Sequence, residues 1–369
     1  MNDTAPIRYV DMAAQFAEQR DEIMARVETV LAEGKLVGGS DIEVLEQEIA
    51  GFCGVAHVVA LNSGTDALVL GMAALGIGEG DEVILPPNSF IASAAAVATI
   101  GAAPVFADVR DDLNIDPEKV EAAITPRTKA IMAVHLTGRI ADMTPLEEIA
   151  ERHGLLVIED ASQSFGSRYR DRLAGSFGNV GCFSAHPLKN FNAAGDSGFL
   201  TTDDGDLAEK VAKMRNHGLV GKGLSEAFGY VSRMDTLQAA ILRYKLEVLP
   251  GVIERRRGNA ALYRELLDPE HVFMAPERDV EFNTYHTFVI QVERRDELKA
   301  HLTERQIGSA IHYPLPLHLQ PAASHLGHKA GDFSVTERQA ERILSLPVHQ
   351  TLKENDLHRV ADTVNGFFK

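Results

Sequence analysis

Apolar positions along the chain fall into two alternating rhythms. Short, nearly continuous apolar runs occupy residues 55–61, 82–85, 103–107, 130–134 and 155–159, the pattern of strands buried on both faces. Between them, residues 92–100, 117–124 and 145–153 carry apolar side chains at helical spacing. This βαβ rhythm predicts an α/β fold with a mainly parallel sheet wrapped by helices. Residues 180–183 and 198–201 read as two further strands flanking a polar, glycine-punctuated segment, and residues 207–214 as the helix that follows.

The ends of the chain follow other patterns. Residues 8–33 open with a short apolar piece and continue as an amphipathic helix carrying Phe16, Ile23, Val27, Val30 and Leu31, until Gly34, Gly38 and Gly39 interrupt it. A second helix over 41–52 aligns Ile42, Leu45 and Ile49. Residues 216–230 hold four glycines and little periodicity, which predicts a mobile loop. A long helical pattern over 235–249 ends at Pro250-Gly251, and this punctuation predicts a division into a large unit, 1–249, and a small one, 250–369. The small unit reads as a helix over 252–267, then strand, helix and strand at 287–292, 295–305 and 309–311, an α+β arrangement.

Composition narrows the function classes. The 369 residues are 45% hydrophobic and 24% charged, enough for one large core and a smaller one. A formal net charge of −17 lacks the basic footprint of a nucleic-acid binder. No apolar run approaches the roughly 20 residues of a membrane span, and Met1-Asn-Asp-Thr4 lacks the basic and apolar regions of a signal peptide. The two cysteines, Cys53 and Cys182, make neither a disulfide framework nor a zinc pattern, and no histidine spacing suggests a metal. The expectation is a cytoplasmic protein without a metal.

Three segments carry candidate chemistry. Lys189 lies in Cys182–Gly198, CFSAHPLKNFNAAGDSG, flanked by Pro187, Asn190 and Asn192 with no carboxylate close in sequence. Most lysines are solvated surface charges. A desolvated one loses part of its proton affinity and becomes a nucleophile for carbonyls, the Schiff-base chemistry that pyridoxal phosphate exploits. Asp160 ends the run 155–159, where open α/β sheets bind ligands, and there a carboxylate can keep the cofactor's pyridine nitrogen protonated. A turn or helix cap is the plainer role for such an aspartate. Asn62-Ser-Gly-Thr-Asp66 sits between an apolar strand pattern and a helical one, an arrangement that aims free N–H groups at a phosphate.

In order along the chain, NSGTDAL, EDASQSFG, SAHPLKNFNAAGD, RNHG, SRMDTLQAAIL and IHYPLPLHLQPA resemble the DegT/DnrJ/EryC1/StrS family of sugar aminotransferases, over essentially the whole sequence. The resemblance implies the fold-type-I, aspartate-aminotransferase-like architecture, with a seven-stranded-type sheet and a small C-terminal domain. It implies pyridoxal 5'-phosphate as cofactor, and a homodimer with sites at the subunit interface and the leading helix packed there. Lys189 matches the Schiff-base lysine, which also shuttles the substrate proton, and Asp160 the pyridinium partner. Gln163 matches the residue that bonds the ring hydroxyl, Phe90 the aromatic on the ring face, and Ser184, Gly64 and Thr65, with Asp66 beside them, the phosphate contacts. His217 and Tyr313 match substrate-pocket positions.

The family commonly has Asn where Val231 stands in Gly229-Tyr-Val-Ser-Arg233. That Asn reaches the partner's cofactor phosphate, so Ser232 or Arg233 takes over the contact or the phosphate is held more loosely. The implied reaction moves an amino group from L-glutamate to a nucleotide-linked keto sugar. LKNFNAAGDSG and Asn88 resemble members acting at a 3-keto position. A cyclitol aminotransferase is the enzymatic alternative. A sugar-nucleotide sensor is the non-enzymatic one, and a dehydratase of this scaffold would carry histidine in place of Lys189.

Overall fold

The computed structural model describes residues 5–221 and 223–369. Met1–Thr4, on which the leader reading rests, and Lys222 of the glycine-rich segment lie outside the described residues. At its centre is a seven-stranded sheet of β1 (His57–Leu61), β2 (Glu82–Leu85), β3 (Ala103–Phe106), β4 (Thr128–Val134), β5 (Leu156–Asp160), β6 (Val180–Ser184) and β7 (Gly198–Thr202). Their order across the sheet is β1-β7-β6-β5-β4-β2-β3. Every pairing is parallel except those of β7, which runs antiparallel to both neighbours. Each apolar run of the central region is thus a strand, with its bounds shifted by at most two residues.

Among the described residues, eleven α-helices accompany the sheets: α1 (Met12–Glu33), α2 (Ser40–Cys53), α3 (Gly64–Ala74), α4 (Ile91–Thr99), α5 (Pro117–Ala122), α6 (Met143–His153), α7 (Gly205–Met214), α8 (Thr236–Leu266), α9 (Arg295–Glu304), α10 (Ser334–Arg342) and α11 (Glu354–Phe368). Two apolar layers cover the two faces of the sheet. Ile42, Leu45 and Ile49 of α2 and Met143, Leu146 and Ile149 of α6 belong to one, and Leu68 and Met72 of α3 and Val97 of α4 to the other. Such two-sided burial is what continuous rather than alternating apolar strands require. α1 packs on α8 with Ile23 and Val30 buried, yet Phe16, Met24 and Leu31 stay exposed.

A third core lies beyond the sheet. β8 (Val272–Phe273), β9 (Phe288–Val292) and β10 (Ile343–Leu346) form an antiparallel sheet covered by α9, α11 and the last turns of α8. Two expectations change here. Pro250 does not end a helix, because α8 runs 31 residues straight through it. Leu249 and Ile253 serve a core against the large sheet while Ala260 and Tyr263 serve the small one, so one helix joins the two. Residues 309–311 do not make a strand and pair only at Ala310 with Ser345. Pro314 and Pro316, which have no N–H to give, follow at once.

The N-terminal segment joins this third core as well. Ile7 pairs with Ile307 and is buried in the C-terminal core. The glycine-rich segment 216–230 folds into a ribbon of Leu219–Gly221 against Leu224–Ser225, with Gly223 in the left-handed region at φ +80°. No helix among the described residues is long and apolar enough to cross a membrane.

Candidate active site

Lys189 sits on the loop from β6 to β7, and nearly every residue of that loop is tied down. Asn192 donates to the carbonyl of Pro187 at 2.8 Å, Asn190 to that of Thr284 at 3.0 Å, and the Lys189 N–H to that of His186 at 2.8 Å. Phe191 is buried against Phe165, with ring centres 4.6 Å apart, in a cluster with Phe183 and Phe199. The asparagines beside the lysine therefore hold backbone rather than substrate. Desolvation lowers the Lys189 amine to about 8, against a weaker opposing pull from Asp160.

The amine faces a cavity of about 660 Å³. One end is the start of α3, where the Ser63 side chain caps the helix by accepting the Asp66 N–H at 3.1 Å. Gly64, Thr65 and Ser184 line the same end. Backbones press together here. A Cβ on Gly64 would lie 2.7 Å from the Ser184 Cβ, and one on Gly198 2.3 Å from the Ser63 carbonyl carbon. Only glycines allow the helix N-terminus to sit so close to the ends of β6 and β7. The result is a concave cradle of N–H and hydroxyl donors, suited to a phosphate.

At the floor, Asp160 ends β5 and is 6% exposed. Its Oδ2 accepts from the Ser93 hydroxyl at 2.6 Å and its Oδ1 from the Ser162 N–H at 3.3 Å. Gln163 accepts the Thr137 N–H at 2.8 Å and donates to the Tyr313 hydroxyl at 3.2 Å. Burial pushes the Tyr313 hydroxyl up to about 12, so it stays protonated. Phe90, 56% exposed, stands at the start of α4 with its ring 5.8 Å from that of Tyr313.

The cavity thus brings together Lys189, Asp160, Gly64, Thr65, Phe90, Gln163, Ser184 and Tyr313. Asp66 does not line it. His217 is exposed on the segment after α7, where its N–H bonds the Tyr230 carbonyl, and it does not line the cavity either. Of the residues offered in place of the usual Asn, Ser232 is buried with its hydroxyl on Asn62 at 3.1 Å, whereas Val231 and Arg233 are exposed. Ser232 is already committed within its own chain.

Several lining residues escaped the sequence reading. Arg256, 3% exposed, donates to the carbonyls of Tyr285 at 3.0 Å and His286 at 3.3 Å and to Gln350 at 3.2 Å. Burial brings its guanidinium down to about 10. In sequence it hides in Arg255-Arg256-Arg257, which looks like a solvated charge run. His286 is driven well below the ordinary histidine range by burial and by the cations Lys189 and Arg256. Burial takes His312 down to about 4, so both rings are neutral at pH 7. Away from the cavity, Asp268, Glu270 and His271 bring three ligand-type atoms within 4.8 Å of one another, a grouping their sequence spacing did not suggest.

Residues 17–365 match the model of the DegT/DnrJ/EryC1/StrS aminotransferase family. The chain is 43% identical to a "UDP-N-acetyl-3-dehydro-alpha-D-glucosamine 3-aminotranferase" of Acidithiobacillus ferrooxidans, over 99% of this chain and 98% of the relative. Among solved structures it is similar to S. venezuelae DesV in complex with a ketimine intermediate, with 40% identity, a TM-score of 0.96 and 99% of each chain covered. It is also similar to Bacillus subtilis ntda with bound cofactor pmp, with 31% identity, a TM-score of 0.92, and 98% of this chain and 85% of that one covered.

Proposed function

Because the chain belongs to the DegT/DnrJ/EryC1/StrS aminotransferase family and is a pyridoxal-phosphate-dependent aminotransferase, we propose that it moves the amino group of L-glutamate onto C-3 of a nucleotide-linked 3-keto sugar, as a cytoplasmic homodimer. The 3-position is supported by the name of the Acidithiobacillus relative and by the stretch after Lys189, Asn190-Phe-Asn-Ala-Ala-Gly-Asp196. The observation that carries the reading is the desolvated Lys189 amine, which shares one cavity with Asp160 and the cradle at the start of α3.

The residues present fit the cofactor. Gly64, Thr65 and Ser184 would hold its phosphate against the α3 N-terminus, Asp160 would face its pyridine nitrogen, Gln163 its ring hydroxyl and Phe90 its face. When bound, pyridoxal phosphate supplies a carbonyl for amines and a ring that accepts electrons from the substrate carbon.

The protein's own share is binding and proton management. Lys189 would hold the cofactor through Nζ, and the same nitrogen, when free, would take up and return the proton of the substrate carbon. With its amine at about 8, a sizeable neutral fraction exists near physiological pH, which an ordinary lysine at 10.5 lacks. The Asp160 carboxylate would keep a proton on the pyridine nitrogen it faces. The neutral His312 ring and the protonated Tyr313 hydroxyl offer uncharged contacts to a hydroxyl-rich substrate.

The test is the visible absorbance of purified protein with pyridoxal phosphate, before and after L-glutamate, with Lys189→Ala as control. The expected result is a yellow protein that glutamate bleaches and a variant that shows neither property. A panel of UDP- and dTDP-linked keto sugars then follows, and the expected product carries nitrogen at C-3. Turnover of 4-keto substrates alone would overturn the positional reading.

A further inference from the structure

Asp160 is the end of a chain of hydroxyls that starts at the cavity wall. Ser93 donates to Asp160 Oδ2 at 2.6 Å, and Ser89 Oγ lies 2.6 Å from Ser93 Oγ. All three side chains are buried, Ser93 completely, Ser89 at 4% and Asp160 at 6% exposure. The direction of the chain follows from charge. An ionised carboxylate only accepts, so the single O–H of Ser93 is committed to Asp160. Its contact with Ser89 must then be one in which Ser93 accepts, and Ser89 donates. Both O–H dipoles point at the carboxylate, and each strengthens the next.

We propose that Ser93, with Ser89 behind it, is a positioning residue that holds the Asp160 carboxylate aimed at the cofactor's pyridine nitrogen. The inference rests on Asp160 facing that nitrogen. Three features of the site support it. The carboxylate is buried, where an unsupported charge is costly, and a hydroxyl donated to it offsets that cost. Among the described residues Oδ1 receives only a long backbone contact at 3.3 Å, so the short Ser93 bond sets the rotation of the group. Finally, Ser93 sits in the first turn of α4, which begins at Ile91, three residues after Phe90 at its N-cap. One helix start therefore places the aromatic for the ring face and the donor for the carboxylate together, and its dipole also favours the anion.

A serine that merely pinned α4 to the sheet would look the same in a thermal melt, so the test must read the nitrogen. Dissociation constants are measured for pyridoxal phosphate and for its carbocyclic analogue, in which C–H replaces the pyridine nitrogen, on wild type, Asp160→Asn, Ser93→Ala and Ser89→Ala. Wild type should prefer pyridoxal phosphate, and Asp160→Asn should lose that preference. Ser93→Ala should reduce the preference about tenfold, as for a lost hydrogen bond to a charged group, with affinity for the analogue unchanged. Ser89→Ala should reduce it by a smaller factor, since it acts only through Ser93. Should Ser93→Ala weaken both ligands in parallel, or neither, the positioning role is overturned while the role of Asp160 stands. Should Asp160→Asn keep the preference, Asp160 does not face the nitrogen and both readings fall.

Discussion

Among the described residues, Asp160 is the only charge that appreciably opposes the desolvation of Lys189, so the amine is expensive to keep in the cofactor-free fold. Its folded-state value, about 8, lies below the unfolded 10.5. Below pH 8 both states bind the proton and the folded state bears the full penalty. Between 8 and 10.5 the unfolded chain holds more protons, so stability rises with pH, and above 10.5 the penalty is gone. Lys189→Met in the cofactor-free protein should therefore stabilise it at pH 7 by about 3 kcal/mol, with the difference closing toward pH 10.5, as read by denaturant melts across pH. The same value sets attachment kinetics. The rate at which cofactor-free protein turns yellow with pyridoxal phosphate should climb with pH and level off above about 8, and a midpoint at 10.5 would show that the amine is not desolvated. This residue was legible in the sequence because chemistry, phosphate cradle and carboxylate lay in three recognisable segments. Ser93, Arg256 and His286 were not, because a serine in an alanine-rich helix, an arginine in a run of three and a lone histidine show no pattern until the fold turns them into one cavity.

Elements record the same divide between local and long-range information. The strands of the central sheet could be read nearly to the residue, since burial on both faces leaves a continuous apolar run. The helix α8 could not, because proline is a strong local breaker and only packing on two cores at once overrides it. Pro250 is exposed and cannot offer an N–H to the Leu246 carbonyl one turn back. Pro250→Ala should restore that bond and raise stability by about 1–3 kcal/mol, seen as a higher thermal midpoint with unchanged cofactor affinity. At the meeting of α3, β6 and β7 the opposite holds, and small residues are indispensable. Gly198→Ala would place a methyl 2.3 Å from backbone, whereas Gly64→Ala would place one 2.7 Å from a side-chain carbon. The first should cost more than the second, with about 1–3 kcal/mol lost at either from overpacking, and both should weaken cofactor binding because the cradle must open.

On the scale of the whole molecule, the apolar surface is distributed unevenly. Phe228 has no protection at all, and Leu224, Tyr230 and Val231 beside it are 63%, 48% and 57% exposed. Phe16, Met24 and Leu31 on α1 and Leu36 and Val37 after it are also exposed. A chain with a formal charge of −17 stays dispersed through self-repulsion, so this much uncovered apolar surface points to a specific cover rather than to general stickiness. A second copy of the chain is the cover that the family resemblance implies, and the cavity gives it a purpose. The stretch 228–233 carries the exposed Arg233, whose guanidinium donates to Asn216 Oδ1 at 3.1 Å; it does not line the cavity of its own chain, so it can serve a phosphate only across an interface. Light scattering should therefore give a dimer. Phe228→Asp should shift it toward monomer and weaken pyridoxal phosphate binding in step, with the far-ultraviolet spectrum unchanged. A monomeric variant that binds the cofactor as tightly as the parent would show that each chain completes its own phosphate site, and that the segment's exposed side chains serve some other contact.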